Sequence, residues 1–144
     1  MSSEANIVKD LIDRGMAPIQ ADMTRFRAGL GAMTAASDRP PASAIRALRS
    51  ARDHAVAAHA ALETANAGHI LLVPGGSPAL RGFLYLSQGL SALLGALGST
   101  GATTAGQLAS ARTLLTRSGN EFLAADRAMH CPYGCHKPPA VRIG

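Results

Sequence analysis

The chain has 144 residues, of which 47% are apolar, only 3% are aromatic and none is Trp, and it carries a formal charge of +5. That length suits one domain with a core large enough to fold without disulfide or metal staples, and a core built from Ala, Leu, Ile and Met favours packed helices over sheets. Apart from Arg46, Arg49 and Arg52 the arginines are scattered, and few rings are present for base stacking, so nucleic acid is not the expected partner.

The opening MSSEANIVKDLIDRG has neither a basic n-region nor an apolar h-region, which leads to the expectation of a cytoplasmic protein. Residues 4–36 carry a seam at heptad spacing, Ile12, Ile19, Phe26 and Met33 alternating with Met16, Met23 and Leu30. Pro18 interrupts it, because proline gives no amide hydrogen to the turn before it. The unbroken register predicts one long kinked helix instead of two, ended by Ser37-Asp38-Arg39-Pro40-Pro41. A second helix is predicted from Ala42, capped by Ser43, to about Ala67. Its small-residue strip, Ala47, Ala51, Ala58, Ala61 and Ala65, is expected to receive the strip Gly82, Gly89 and Ala96 of the next helix.

His69–Val73 is expected to be buried, and Pro74–Pro78 reads as a loop. Residues 79–98, apolar around nearly their whole circumference, suit either a bundle centre or a membrane span. Arg81 and Gln88 lie in that stretch, and a central arginine costs roughly 2.5 kcal/mol or more to insert in lipid. The central helix of a bundle is therefore expected, and membrane association is not. A last helix from about Thr103 to Met129 carries Leu108, Leu115, Phe122 and Met129 every seven residues, with Ala111, Ser118 and Ala125 between them. The fold predicted is all-α: an antiparallel four-helix bundle over residues 1–129 with a long kinked first helix, followed by a non-helical tail at residues 130–144.

Chemistry has one concentrated candidate. His130-Cys131-Pro132-Tyr133-Gly134-Cys135-His136 places two thiols and two imidazoles within seven residues, with Pro132 and Gly134 making a turn. In the cytoplasm such thiols serve as metal ligands or free thiols more often than as lasting disulfides. His130, Cys131, Cys135 and His136 are the candidate ligands of a zinc ion, with His69 as a substitute, and a Cys131–Cys135 redox pair is the alternative. CPYGCH also resembles a stretched haem c attachment motif, Cys-x-x-Cys-His with one residue more, as carried near the end of the four-helix bundle in cytochromes c′. That resemblance implies covalent haem; the added residue and the Pro132–Gly134 turn depart from it.

His54 and His59 are five residues apart and share no ligand face, whereas His59 and Glu63, four apart, can pair beside Arg52 as a structural network. No G-x-S-x-G, H-E-x-x-H, Walker or Rossmann pattern occurs, and the carboxylates are dispersed. The function expected from these features is non-enzymatic: a helical bundle acting through protein contacts or self-assembly, with a partner protein or a homo-oligomer. Its Cys/His turn would bind zinc, or, as the alternative, Cys131, Cys135 and His136 would serve a redox, metal or haem cofactor. The tail Lys137–Gly144 is read as extended, with Val141 and Ile143 available to dock.

Overall fold

The computed structural model describes residues 3–31, 40–66, 75–98 and 102–130, all in four helices and their immediate ends, with no strand among them. These are α1 (Ser3–Gly31), α2 (Ala42–Asn66), α3 (Gly76–Leu97) and α4 (Ala102–His130). Pro18 lies inside α1, which runs on as a single helix of 29 residues. The expected seam of α1 is largely the buried face: Ile19 and Phe26 are buried, and Ile12, Met16 and Met23 pack against the core. Leu30 is 36% exposed, and Met33 lies outside the described residues.

α2 starts at Ala42 as expected, but without Ser43 as its cap, and α3 starts earlier than expected. The Pro41 carbonyl accepts from the Ala44 and Ile45 amides at 3.0 and 3.2 Å, so α2 begins ahead of Ser43, which sits inside the first turn. α3 begins three residues before Ala79 and includes Gly76, Ser77 and Pro78. Proline is tolerated there because the amides of a helix's first turn have no intrahelical acceptor to lose. Gly75 caps that end with φ +88°, a conformation that disfavours any side chain, and a Cβ on it would come within 2.9 Å of the Ala125 carbonyl oxygen.

The helices pack on their neighbours in sequence: α1 on α2, α2 on α3 and α3 on α4. α1 meets α3 at few points, the Phe83 ring against Gly15 among them, and α4 barely touches α1 or α2. Phe83, Leu48, Leu62, Leu90 and Val8 form the centre of the core. Residues 79–98 therefore do lie between other helices, α2 on one side and α4 on the other.

The expected pairing of small-residue strips is corrected. The glycine strip of α3 faces α4, not α2: a Cβ on Gly82 would stand 2.9 Å from the Phe122 ring, and one on Gly89 would stand 2.8 Å from Leu115 Cδ2. On α2, Ala58 meets Gly15 of α1, and Ala44 meets Gly29. The reason is volume. α4 brings Leu115 and Phe122 to α3, and large side chains need the glycine notches, while on α1 Gly29 takes Ala44 of α2 and Gly15 takes both Ala58 and the Phe83 ring of α3.

No described helix is long and apolar enough to cross a membrane. His69–Val73 and the tail from Cys131 onward lie outside the described residues.

Candidate functional site

Two places on the described helices combine unusual chemistry with a defined geometry. The first is a polar node between α1 and α2. Asp22 falls three residues after Ile19 and four before Phe26, so helical periodicity turns it inward with them, and its side chain is fully buried. His54 Nδ1 of α2 stands 2.6 Å from Asp22 Oδ2, and Arg25, one turn along α1, donates to Oδ1. Burial pushes the carboxyl pKa up, but hydrogen bonds from His54, Ser50 and Arg25 outweigh it and hold Asp22 below the ordinary carboxylate range.

Ser50, His54 and Asp22 are the residue types of a hydrolytic triad, but their arrangement differs. Ser50 Oγ lies 3.5 Å from His54 Nδ1, the same nitrogen that meets Asp22. In a triad the carboxylate holds Nδ1 and the hydroxyl gives its proton to Nε2. Here one ring nitrogen faces both partners, so the imidazole does not relay a proton from Ser50 to a second position. The node joins α1 to α2 by satisfying a buried charge. The expected His59–Glu63 contact is present at 3.4 Å, while Arg52 turns to Asp53 at 3.0 Å instead of joining it.

The second place is the outward side of α4. The inner face of this helix is its row of small residues: Ala111, Ser118 and Ala125 are buried against α3, and the Ser118 hydroxyl donates to the Gly82 carbonyl at 2.7 Å. Arg81 of α3 reaches Glu121 of α4 at 3.1 Å at the rim. Phe122 meets Phe83 edge-on, with ring centroids 4.8 Å apart and planes at 76°. With the small row turned inward, the large residues flank it. Leu108 and Leu123 are each 45% exposed. Together with Leu93 of α3, Leu115 and Gly119 they line an open groove of about 1140 Å³ in which, among the described residues, Arg112 is the only charged one.

The sequence-derived metal ligands are only partly placed. His130 is the last residue of α4, not the first of a turn, and its Nε2 lies 3.2 Å from Asp126 one helical turn earlier. Cys131, Cys135 and His136 lie outside the described residues, as do His69 and the haem-like string CPYGCH. Among the described residues, no group of three or more His, Cys, Asp and Glu is gathered that could hold a metal ion.

Sequence reasoning missed the Asp22–His54 contact, although an acid at a core position of the α1 seam was its signal. It also missed the exposure of Leu108 and Leu123, which depends on how α4 is rotated about its axis.

No protein-family model matches the chain, and neither do the curated proteins or the solved structures compared with it.

Proposed function

We propose that this protein is a non-enzymatic helical module that works through protein contacts, with the outward face of α4 as its docking surface. The observation that carries this reading is the groove between α3 and α4. Ala105, Leu108, Arg112, Thr116, Gly119 and Leu123 line it at steps of three and four residues, which is the spacing of a second helical seam beside the one already used against α3. A seam from residue 105 to 123 is about 27 Å long at ~1.5 Å per residue, the length of a helix-in-groove contact. The partner that fits is an amphipathic helix with aliphatic anchors and one acidic residue to meet Arg112. The short connections favour antiparallel neighbours within the bundle, and Pro18 favours a bend in α1. We place the protein in the cytoplasm, where the two thiols stay reduced.

The test compares tagged wild-type chain with Leu108→Glu/Leu123→Glu and with Val56→Glu, a site on α2 that is 52% exposed and away from the groove. A partner retained by wild type and Val56→Glu and lost by the double variant supports the reading. A partner lost equally from both, or from neither, contradicts it.

A second reading concerns zinc, and the Asp126–His130 pair favours it. A carboxylate on one imidazole nitrogen orients the ring and leaves the other nitrogen for a metal. His130 Nδ1 would then join Cys131, Cys135 and His136 as ligands, and redox work by the two cysteines is the alternative. Zinc content of untagged protein and of Cys131→Ser tests this: stoichiometric zinc lost with the thiol supports it, and zinc retained by the variant removes Cys131 from the site.

A further inference from the structure

The polar node between α1 and α2 uses one nitrogen of His54 and leaves the other. Asp22 is fully buried and ionised, so the hydrogen between it and the ring, across 2.6 Å, belongs to His54 Nδ1. The neutral ring then carries its lone pair on Nε2. Among the described residues Nε2 has no partner, and 43% of the side chain is exposed. The residues one turn away on α2, Ser50 and Ala57, are small, and Ser50 gives its hydrogen bond to Asp22. The imidazole is an open nucleophile held from behind by a buried anion.

Such a ring differs from an ordinary surface histidine in orientation and in charge. A contact between two helices fixes its plane. When Nε2 bonds to an electrophile the ring becomes cationic, and the carboxylate already on Nδ1–H stabilises that cation. The other oxygen of the same carboxylate holds Arg25, whose side chain is 64% exposed and whose remaining guanidinium nitrogens have no partner among the described residues. One carboxylate thus keeps an imidazole and a guanidinium side by side at the surface. A nucleophilic nitrogen beside free N–H groups of a planar cation suits a transferred group that is itself an oxyanion. Phosphoryl meets that description, whereas a neutral acyl group would leave the arginine unused.

We infer that His54 is a phosphoryl acceptor, taking the group on Nε2 from a donor of the phosphoramidate class while Asp22 positions the ring and Arg25 meets the phosphoryl oxygens. With phosphoramidate itself, the Nε2 lone pair forms the new N–P bond as the P–N bond to the departing ammonia breaks. Ammonia leaves with that bond's electron pair, Nδ1 keeps its hydrogen on Asp22, and nothing is oxidised or reduced. The modification is compatible with a non-enzymatic module and does not depend on the α4 groove.

The test incubates the full chain with potassium phosphoramidate at neutral pH and follows each histidine by peptide mass mapping in alkali, where phosphohistidine survives. His130 is the internal reference, being 56% exposed and paired with an acid of its own helix. His54 should be labelled faster than His130. Asp22→Asn should slow labelling of His54 by roughly tenfold, the size of a hydrogen bond to a charged group, and leave His130 unchanged. Arg25→Gln should slow phosphorylation of His54 but not its carbethoxylation by diethyl pyrocarbonate, a neutral electrophile. Labelling of His54 no faster than His130, a rate unmoved by Asp22→Asn, or equal losses of both reactions in Arg25→Gln would overturn the inference. Should Asp22→Asn fail to fold, nitrogen-15 spectra of the wild-type protein decide in its place. A neutral His54 ring with its hydrogen on Nδ1 supports the inference, and one with its hydrogen on Nε2 overturns it.

Discussion

Replacing Gly82 and Gly119 by alanine, one at a time, separates the two faces of the α3–α4 pair. Both glycines lie inside helices, so each substitution gains about 0.8–1 kcal/mol of helix propensity. At Gly119 no atom of the described residues stands within 4 Å of the new methyl, so that gain is the expected effect and the variant should be more stable than wild type. At Gly82 the methyl lands 2.9 Å from Cε1 and Cζ of Phe122. The half-buried Phe122 ring already meets the fully buried Phe83 edge-on, so it must shift against that contact to make room. Overpacking of this kind costs about 1–3 kcal/mol. The propensity gain is common to both variants and cancels between them, so Gly82→Ala should be less stable than Gly119→Ala by about 1–3 kcal/mol. Urea unfolding followed by far-ultraviolet circular dichroism reads this as a separation in midpoint at constant slope. A Gly82→Ala protein as stable as Gly119→Ala would mean that Phe122 does not seat on the α3 glycine strip.

Three further outcomes test the packing and the polar node. Removing the imidazole with His54→Ala leaves Asp22 buried with Arg25 and Ser50 alone, and should destabilise by about 2 kcal/mol at neutral pH, the size of a hydrogen bond to a charged group. Because the folded carboxyl of Asp22 is held low, its contribution is complete above the unfolded value near ~4 and is lost as pH falls through the lower folded value. His54→Ala removes one of the bonds that keeps it low, so acid unfolding should begin at higher pH in the variant; an unshifted acid transition in a pH titration of circular dichroism would show that the pair carries no linkage. Ser118→Ala deletes a buried hydroxyl that donates across the α3–α4 contact and should cost about 1 kcal/mol in the same urea assay. Arg81→Ala, by contrast, removes a pair whose arginine is 45% exposed and should change stability by no more than ~0.5 kcal/mol, screened further by salt.

The sequence made the helices legible because their periodicity is long and local: the α1 seam at Ile19 and Phe26, the small row of α4 and the apolar run of α3 all lie on buried faces. It was less informative about partners. Gly82 and Gly89 announce a close approach without naming the helix that makes it, and the choice of α4 over α2 rests on the volumes of Leu115 and Phe122, a tertiary fact. The same applies to Asp22 and His54, thirty-two residues apart, whose contact follows from how α1 crosses α2. On α4 two interleaved rows were visible, but only packing decides that Ala111, Ser118 and Ala125 turn inward and leave Leu108 and Leu123 at the surface. Of the four candidate metal ligands His130 alone falls among the described residues, and its partner there is Asp126, an acid one turn back that the ligand spacing did not include.

The account turns on the outward face of α4 being the working surface, and site-specific photocrosslinking in living cells measures that directly. With benzoylphenylalanine in place of Leu123, irradiation should give a discrete set of adducts to a partner protein, each identifiable by mass. The same probe in place of Val56, a comparably exposed position on α2, should give none of them. The same adducts from both positions, or none from Leu123, would contradict it.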